Sequence, residues 1–228
     1  MKIGIIVAMS SELACIRALL HDGKEERFGN ETFFTGTNGT HRLILTQSGI
    51  GKVNAALHAQ TLIRHFAPDC IINTGVAGGI DASLRVFDTV IGSEVVYHDA
   101  WFGEGNAIGQ IQGLPPRFAA DKELLRKVQA ATTGSERIYS GLICSGDRFI
   151  TDRTELESIK RNFPEGLAVD MESAAIAQTC YLLDTPFISL RIISDTPGVE
   201  NHFDQYNDFW EKAPEQSFSV IRRIINNI

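Results

Sequence analysis

The hydrophobic pattern of the chain alternates between short continuous apolar runs and longer stretches of helical period. Lys2 to Ala8 is an isoleucine-rich run, typical of a strand that is buried on both faces. The next segment, up to about Leu20, carries its leucines and isoleucine on one helical face, and Ser10 or Ser11 can cap its first turn. A buried strand followed by an amphipathic helix is therefore predicted first.

The same alternation continues along the chain, and Asn38-Gly39 predicts the turn of an early hairpin. Strands are predicted over Glu31 to Thr37, His41 to Gln47, Cys70 to Asn73, Phe87 to Tyr97, Arg137 to Ser145, Leu167 to Val169 and Pro186 to Ile193. Helices are predicted over Val53 to Phe66, Asp121 to Ala131, Thr154 to Asn162, Ser173 to Tyr181 and Asn207 to Asn226, the last with a candidate interruption at Pro214. This order predicts an α/β fold, a single domain over residues 1–228 with a mixed, twisted central β-sheet flanked by helices.

The charge of the chain limits the classes of partner that it can bind. The 228 residues carry a net charge of −7, and no run of Lys and Arg exceeds two residues. This argues against a nucleic-acid groove and against an anionic membrane surface. The first apolar run, of about eight residues, is too short to span a bilayer. We therefore expect a cytoplasmic protein whose partner is a small molecule.

The spacing of cysteine and histidine does not indicate a metal site. Cys15, Cys70, Cys144 and Cys180 include no C-x-x-C pair, and the 6 histidines form no H-x-x-x-H or H-x-x-E-H pattern. We therefore expect no metal, and a reducing cytoplasm is the default compartment for these thiols.

Three acidic residues, Glu12, Glu172 and Asp195, lie at or just beyond the ends of predicted strands. If these strands run parallel, their carboxyl ends share the edge of the sheet at which α/β folds bind ligands. The alternative is that each acid only caps a helix or lies in a solvated turn. Asp170, two residues before Glu172, is a further candidate at the same strand-to-helix corner.

Two other features are candidates for ligand contact. The segment from Gly75 to Gly79 contains three glycines, which predicts either a loop that approaches an anion or a tight turn between a strand and a helix. Phe149 and Tyr206 adjoin turn signals, so they are better candidates for stacking on a flat base than the other aromatic residues.

Arg191 lies inside an apolar strand, where its charge needs a partner. It can serve an anionic substrate or neutralise a site acid such as Asp195 or Glu172. We favour the site acid, because the chain has 28 acidic and only 21 basic residues.

Seven motifs, spread from residue 3 to residue 195, keep the order and spacing of one known family. They are Ile3-Gly-Ile-Ile-x-Ala-Met-x-x-Glu12, Ser48-Gly-Ile-Gly-Lys-Val53, Ile71-Ile-Asn-Thr-Gly-x-Ala-Gly-Gly79, Tyr97-His-Asp99, Ser145-Gly-Asp147, Val169-x-Met-Glu172 and Arg191-x-Ile-Ser-Asp195. The sequence resembles the bacterial 5′-methylthioadenosine/S-adenosylhomocysteine nucleosidases of the nucleoside phosphorylase/nucleosidase superfamily. The resemblance implies a nucleoside phosphorylase-like fold, a nucleoside substrate and no cofactor.

The resemblance also implies roles for individual residues. Asp195 would protonate N7 of the adenine, and Glu12 would orient and deprotonate the attacking water. Glu172 would hold the 2′- and 3′-hydroxyls of the ribose. The remaining substrate-binding residues implied are Met171 against the sugar, Phe149 stacked on the base, the Ile150 backbone at the base edge, Arg191 supporting the acids, and Met9, Ile50, Val76, Ser194 and Tyr206.

The implied reaction is hydrolysis of 5′-thio-substituted adenosines to adenine and the thioribose. A related purine-nucleoside phosphorylase is the first alternative, but phosphate binding needs cations, and the stretch Ala8 to Glu12 has a carboxylate instead. A hydrolase of futalosine-type nucleosides and a nucleoside-binding protein without turnover also stay open.

The chain departs from the family in several places, among them Ser10-Ser11, which stands where the family usually has an acidic run. Val76 stands where the family commonly has Ser, which puts a side-chain hydrogen bond in doubt, and Asp170 stands where it commonly has Glu. Trp101 and Phe102 replace smaller or polar residues in a long loop over residues 98 to 118. The resemblance implies a homodimer, with Phe102 closing the pocket of the neighbouring subunit.

Overall fold

The apolar runs form the strands of one mixed sheet in the computed structural model, which describes residues 1–132, 137–199, 201–212 and 214–228, with only the backbone of residues 212 and 214–217. The strands are β1 (Lys2–Val7), β2 (His21–Phe28), β3 (Glu31–Asn38), β4 (His41–Gln47), β5 (Cys70–Gly79), β6 (Thr89–Tyr97), β7 (Phe118–Ala119), β8 (Ile138–Ser145), β9 (Gly166–Asp170) and β10 (Phe187–Asp195). The helices are α1 (Ser10–Arg17), α2 (Lys52–Phe66), α3 (Lys122–Ala130), α4 (Arg153–Asn162), α5 (Ser173–Leu182), α6 (His202–Lys212) and α7 (Pro214–Asn227).

The sheet closes on itself around β5. This strand pairs in parallel with β1 and β10, and its last residues, Gly78 and Gly79, pair in antiparallel fashion with β9. From β10 the ladder continues through β6 and β8 back to β9, so that five strands form a ring. The hairpin strands β4, β3 and β2 extend the sheet from β1. The α/β class with a mixed sheet flanked by helices is confirmed; the closure was not part of the prediction.

Helices cover both faces of the sheet, and β1 shows how the sequence achieves this. Ile3, Ile5 and Val7 belong to the hydrophobic cluster that includes residues of α1, α3, α6 and α7. Ile6 belongs to the opposite cluster, with residues of α2 and α5. Because side chains alternate along a strand, one continuous apolar run serves two cores. No described helix is long and apolar enough to cross a membrane.

The structure corrects the interpretation of the glycine-rich segment. Gly75 to Gly79 is neither a loop nor a turn but the second half of β5, paired with β10 and β9. Glycine is required there by close packing: a Cβ at Gly78 would lie 2.6 Å from Cγ of Pro197, and one at Gly75 would lie 2.7 Å from Nη1 of Arg191. The predictions of a tight turn and of an anion-binding loop at this segment are therefore wrong.

Other elements also differ from the prediction. The last helical region begins at His202, five residues before Asn207, and α7 begins at Pro214, a residue favoured in the first turn of a helix. The strand β2 was missed because five of its eight residues are charged; it is an edge strand that pairs only with β3. The two-residue strand β7 shortens the predicted irregular loop to residues 98–117.

Gly109 holds this loop against the sheet, and we expect its replacement by alanine to destabilise the protein. Its φ is +84°, and a Cβ would overlap the Tyr97 carbonyl oxygen and lie 2.6 Å from Cγ2 of Val96. Gly105 in the same loop has φ +88° but nothing within 4 Å of its Cβ position. Gly105→Ala therefore measures the backbone strain alone, about 1 kcal/mol.

The expected result is that Gly109→Ala lowers the free energy of unfolding in urea by a further 1–3 kcal/mol or so beyond Gly105→Ala. Equal losses in the two variants would show that the contact with the sheet is not a constraint.

Candidate active site

A cleft opens beyond the carboxyl ends of β1 and β10 and beside the corner between β9 and α5. A concave site in which a few polar groups converge is typical of small-molecule binding. Eleven residues expected from the sequence line it: Met9, Glu12, Ile50, Val76, Phe149, Ile150, Met171, Glu172, Ser194, Asp195 and Tyr206. The condition that all three strands run parallel is not met, because β9 runs antiparallel to β5. The acids still meet, since closure of the sheet brings the β9–α5 corner to the cleft.

Glu12 is held by the backbone on both of its oxygens. Oε2 accepts hydrogen bonds from the amides of Ala8, at 2.8 Å, and Met9, at 2.9 Å, while Oε1 accepts one from the amide of Val76 at 2.9 Å. Burial raises the pKa of Glu12, and Arg191 and these amides act against that rise. The carboxylate is thus fixed in one orientation at the base of the cleft.

Val76 contacts Glu12 through its main chain, so this hydrogen bond does not depend on the side chain at position 76. The absence of a serine hydroxyl leaves an apolar wall at that point of the cleft. The hydrogen bond that Ser would add is therefore distinct from the one that orients Glu12.

Glu172 lies at the β9–α5 corner, where it immediately precedes the helix. Its Oε1 accepts a hydrogen bond from the amide of Gly51 at 3.0 Å, and its Oε2 lies 3.8 Å from Nη2 of Arg191. Burial is the main cause that raises its pKa, and Arg191 acts in the opposite direction. Met171 lines the cleft beside it.

Asp195 ends β10 at another part of the cleft. Its Oδ1 accepts a hydrogen bond from the hydroxyl of Ser194 at 2.7 Å, whereas its buried Oδ2 has no hydrogen-bond partner among the described residues. Burial raises the pKa of Asp195, and Ser194 and His202 lower it only in part. The pKa therefore lies above that of an exposed Asp, and the oxygen that is left free can donate a proton when the group is protonated.

Aromatic rings close one side of the cleft near Asp195. The ring of Phe149 lies 5.8 Å from that of Tyr206, in an edge-to-face arrangement, and 5.9 Å from that of Phe203. The Tyr206 hydroxyl donates to the sulfur of Met9 at 3.5 Å. About half of the Phe149 surface is exposed, so its ring offers a face to a flat ligand.

Two residues expected at the site do not line the cleft. Arg191 is fully buried behind the wall, where it lies 2.6 Å from Oδ2 of Asp170. The expectation that it neutralises a site acid agrees with its position for Glu172 but not for Asp195. Phe102 lies on the 98–117 loop, half exposed and outside the cleft.

Several residues of the cleft were not expected from the sequence. Ala8 and Gly78 contribute through the backbone, for which a sequence has no direct signal. Arg148 and Pro197 also line the cleft. Arg148 precedes Phe149 and Pro197 lies two residues after Asp195, and this proximity in sequence was the one signal that pointed to them. His202 was dismissed as a metal ligand, but its ring packs 4.1 Å from that of Phe203 and it acts on Asp195.

The cleft combines Asp195, whose pKa burial raises, with Glu12, which backbone amides hold in one orientation, and Glu172, which lies 3.8 Å from a buried guanidinium. One group can protonate a leaving group while the others stabilise positive charge or accept hydrogen bonds from hydroxyls. This set suits cleavage of a bond between a sugar and a basic leaving group.

Comparison with known proteins agrees with this chemistry. Residues 2–226 match the family model of the phosphorylase superfamily. The chain is 39% identical over 231 residues to the 5′-methylthioadenosine/S-adenosylhomocysteine nucleosidase of Anoxybacillus flavithermus, which covers 100% of this chain and 99% of the relative.

Solved structures are equally similar. The nucleosidase of this name from Neisseria meningitidis, in complex with methylthio-immucillin-A, gives a TM-score of 0.94 at 39% identity, over 100% of this chain and 99% of that chain. The one from Colwellia psychrerythraea, in complex with adenine, gives 0.94 at 38% identity, over 100% and 95%. The resemblance seen in the sequence is thus confirmed: the chain belongs to the phosphorylase superfamily and, within it, to the 5′-methylthioadenosine/S-adenosylhomocysteine nucleosidases, hydrolases that act on N-glycosidic bonds.

Proposed function

We propose that the protein hydrolyses the N-glycosidic bond of 5′-methylthioadenosine and S-adenosylhomocysteine, releasing adenine and the thioribose. The observation that carries the proposal is the environment of Asp195: a buried carboxyl group with a raised pKa, with one oxygen that no described residue pairs with, in the same cleft as Glu12 and Glu172. Relatives whose solved structures hold adenine or methylthio-immucillin-A support the same choice of ligand.

In this proposal, Asp195 donates its proton to N7 of the adenine from Oδ2, while Ser194 holds the other oxygen. Protonation makes the base a better leaving group, and the sugar develops positive charge as the C–N bond breaks. Glu12, fixed by three amides, orients a water below the sugar and takes its proton.

The remaining contacts position the substrate. Glu172 accepts hydrogen bonds from the ribose 2′- and 3′-hydroxyls, with Met171 against the sugar. Phe149 stacks on the base, and the backbone of Ile150 contacts its edge. Met9, Ile50, Val76 and Tyr206 supply the apolar wall around them.

The charge of the cleft favours hydrolysis over phosphorolysis. Arg148 is the one cation among the described cleft-lining residues, and it is ion-paired with Glu155. Glu12 occupies the place beyond β1 where an incoming phosphate would meet a carboxylate. Like charges repel, so water is the nucleophile that this cleft suits.

We also propose that the protein acts as a homodimer in the cytoplasm. Exposed apolar side chains cluster on α2, at Val53 and Leu57, and on the 98–117 loop, at Trp101 and Phe102. The ion pair between Lys52 and Asp99, 2.9 Å long, holds the start of α2 beside the start of that loop. An apolar face of this kind suits a second copy of the chain, with Phe102 reaching the neighbouring cleft. The four free, buried cysteines suit a reducing compartment.

The direct test measures adenine release from 5′-methylthioadenosine, S-adenosylhomocysteine, 5′-deoxyadenosine and aminodeoxyfutalosine, with and without phosphate. We expect release from the first two that does not depend on phosphate. Strict phosphate dependence would indicate a phosphorylase. A preference for aminodeoxyfutalosine would indicate a futalosine-type hydrolase, and binding without release would indicate a nucleoside-binding protein.

Glu12→Gln keeps the shape of the side chain but removes the base, so its kcat for adenine release should fall by about 100-fold or more.

Asp195→Asn should lose the chemical step, by about 100- to 10,000-fold in kcat, while it still binds substrate, because the amide cannot transfer a proton. The melting temperature of Asp195→Asn, measured at two pH values, provides the control. A carboxyl group with a raised pKa destabilises the folded protein increasingly as the pH rises from its unfolded-state pKa to its folded-state pKa. The variant should therefore melt at least as high as the wild type at pH 8, and its advantage in melting temperature should be smaller at pH 5. Full activity would remove the general-acid role.

Val53→Glu should convert the expected dimer to monomers in sedimentation equilibrium, because it buries a charge in the apolar face. Gln129→Glu, which adds the same charge on α3 at the opposite face of the sheet, is the control and should stay dimeric. If Phe102 closes the neighbouring cleft, the Val53→Glu monomer also shows a raised KM. A monomeric wild type would contradict the proposal.

A further inference from the structure

Behind the cleft, Arg191 is the centre of a buried polar network. Its Nη2 donates to Oδ1 of Asn73 at 2.5 Å and to the hydroxyl oxygen of Ser173 at 3.0 Å. The same nitrogen lies 2.6 Å from Oδ2 of Asp170. The Asn73 amide is anchored in turn to the carbonyl of Ile6 at 3.0 Å, so the guanidinium has little freedom to move.

The same guanidinium also faces Glu172 and Glu12, which line the cleft as Asp170 does. Oε2 of Glu172 lies 3.8 Å from Nη2, compared with 2.6 Å for Asp170. Glu12 lies towards the other terminal nitrogen: a Cβ added to Gly75 would be 2.7 Å from Nη1 of Arg191 and would overlap Oε1 of Glu12. One buried positive charge is therefore shared among three carboxylates.

Asp170 is the nearest of the two carboxylates that pair with Nη2, and it is fixed in place. The hydroxyl of Ser173 donates to Oδ2, and the Ser173 amide donates to Oδ1 at 3.3 Å. The guanidinium lies closer to Asp170 than to Glu172, and since Coulomb energy falls with distance, its attraction for Glu172 is the weaker of the two. The negative charge of Asp170 also repels Glu172.

We propose that Asp170 is a positioning residue that draws the guanidinium of Arg191 towards itself and opposes it with its own negative charge, and so limits how strongly Glu172 is held as an anion. This rests on the proposed function, in which Glu12 and Glu172 act as anions. Asp170 itself acts through Arg191 and through its own charge, and takes no part in the chemical step.

The other charged groups around this network are few. Burial raises the pKa of Glu12 and of Glu172, Arg191 lowers both, and Glu12 adds to the rise at Glu172. Glu12 also faces Tyr206, whose pKa burial raises. On its far side, Asp170 faces His98 and Cys144. Asp195 lies outside the network, because the polar groups that act on it are Ser194 and His202.

The test is the pH profile of kcat/KM for Asp170→Asn, which keeps the size of the side chain and an oxygen for Ser173 but removes the charge. The opposing negative charge beside Glu172 is then removed, so Glu172 ionises at lower pH. We expect the acid limb to move down by about one pH unit. At a pH below the wild-type limb, activity relative to the maximum then rises up to roughly tenfold. The alkaline limb, which depends on Asp195, stays in place.

Two variants serve as controls. Asp170→Glu retains the charge, and Ser173→Ala removes hydrogen bonds from the same network without changing its charge. Both are expected to lower activity and leave the acid limb where it is in the wild type. A merely structural role of Asp170 would lower activity in all three variants and move the limb in none.

An unmoved acid limb in active Asp170→Asn overturns the inference, as does an equal movement in Ser173→Ala. Asp170→Ser replaces Asp170→Asn if the latter does not fold, and if neither folds, Asp170 is needed for the fold and the inference fails. Carboxyl-carbon NMR titration of Glu172 measures the same shift without turnover. A wild type that releases no adenine would refute the proposed function, while the titration would still decide the role of Asp170.

Discussion

The site depends on a single buried charge. Arg191 is completely inaccessible to solvent in the middle of β10, and a guanidinium in that position is tolerated only if carboxylates and hydrogen bonds surround it. The chain supplies them from separate places: Asn73 from β5, Asp170 and Ser173 from the β9–α5 corner, and Glu12 from α1. Because these residues are far apart in sequence, the network also ties together the elements that form the cleft.

Gly75 shows how the backbone accommodates this charge. Any side chain there would occupy the space of the Arg191 guanidinium and the Glu12 carboxylate. The glycine signal in the sequence was therefore genuine, but it reports packing against a neighbouring strand rather than a turn. Both situations favour glycine, and local sequence does not distinguish them, since the atoms that require the glycine come from positions 12 and 191.

Most elements of the fold could be predicted, because apolar period and turn residues are local: the strand at Lys2 and the Asn38-Gly39 hairpin are examples. The closure of the sheet could not, since pairing between Gly78 and Val169 depends on contacts across some ninety residues of chain. For the site, motif spacing brought forward Glu12, Glu172 and Asp195, and the structure brings them together in one cleft. The partner of Arg191 was not foreseen: Asp170 was a local candidate, but only the fold places it 2.6 Å from the guanidinium.

The three acids of the proposed mechanism differ in whether they lie close to Arg191. Burial raises the pKa of Glu12, Glu172 and Asp195 alike. Glu12 and Glu172 lie beside the guanidinium and accept hydrogen bonds from backbone amides, whereas Asp195 has a hydroxyl and an imidazole, and its Oδ2 has no hydrogen-bond partner among the described residues. Carboxyl groups of similar intrinsic acidity thereby have different charged partners within one cleft. Cleavage of a glycosidic bond needs this difference, because a proton must be delivered to the base while negative charge is kept near the sugar.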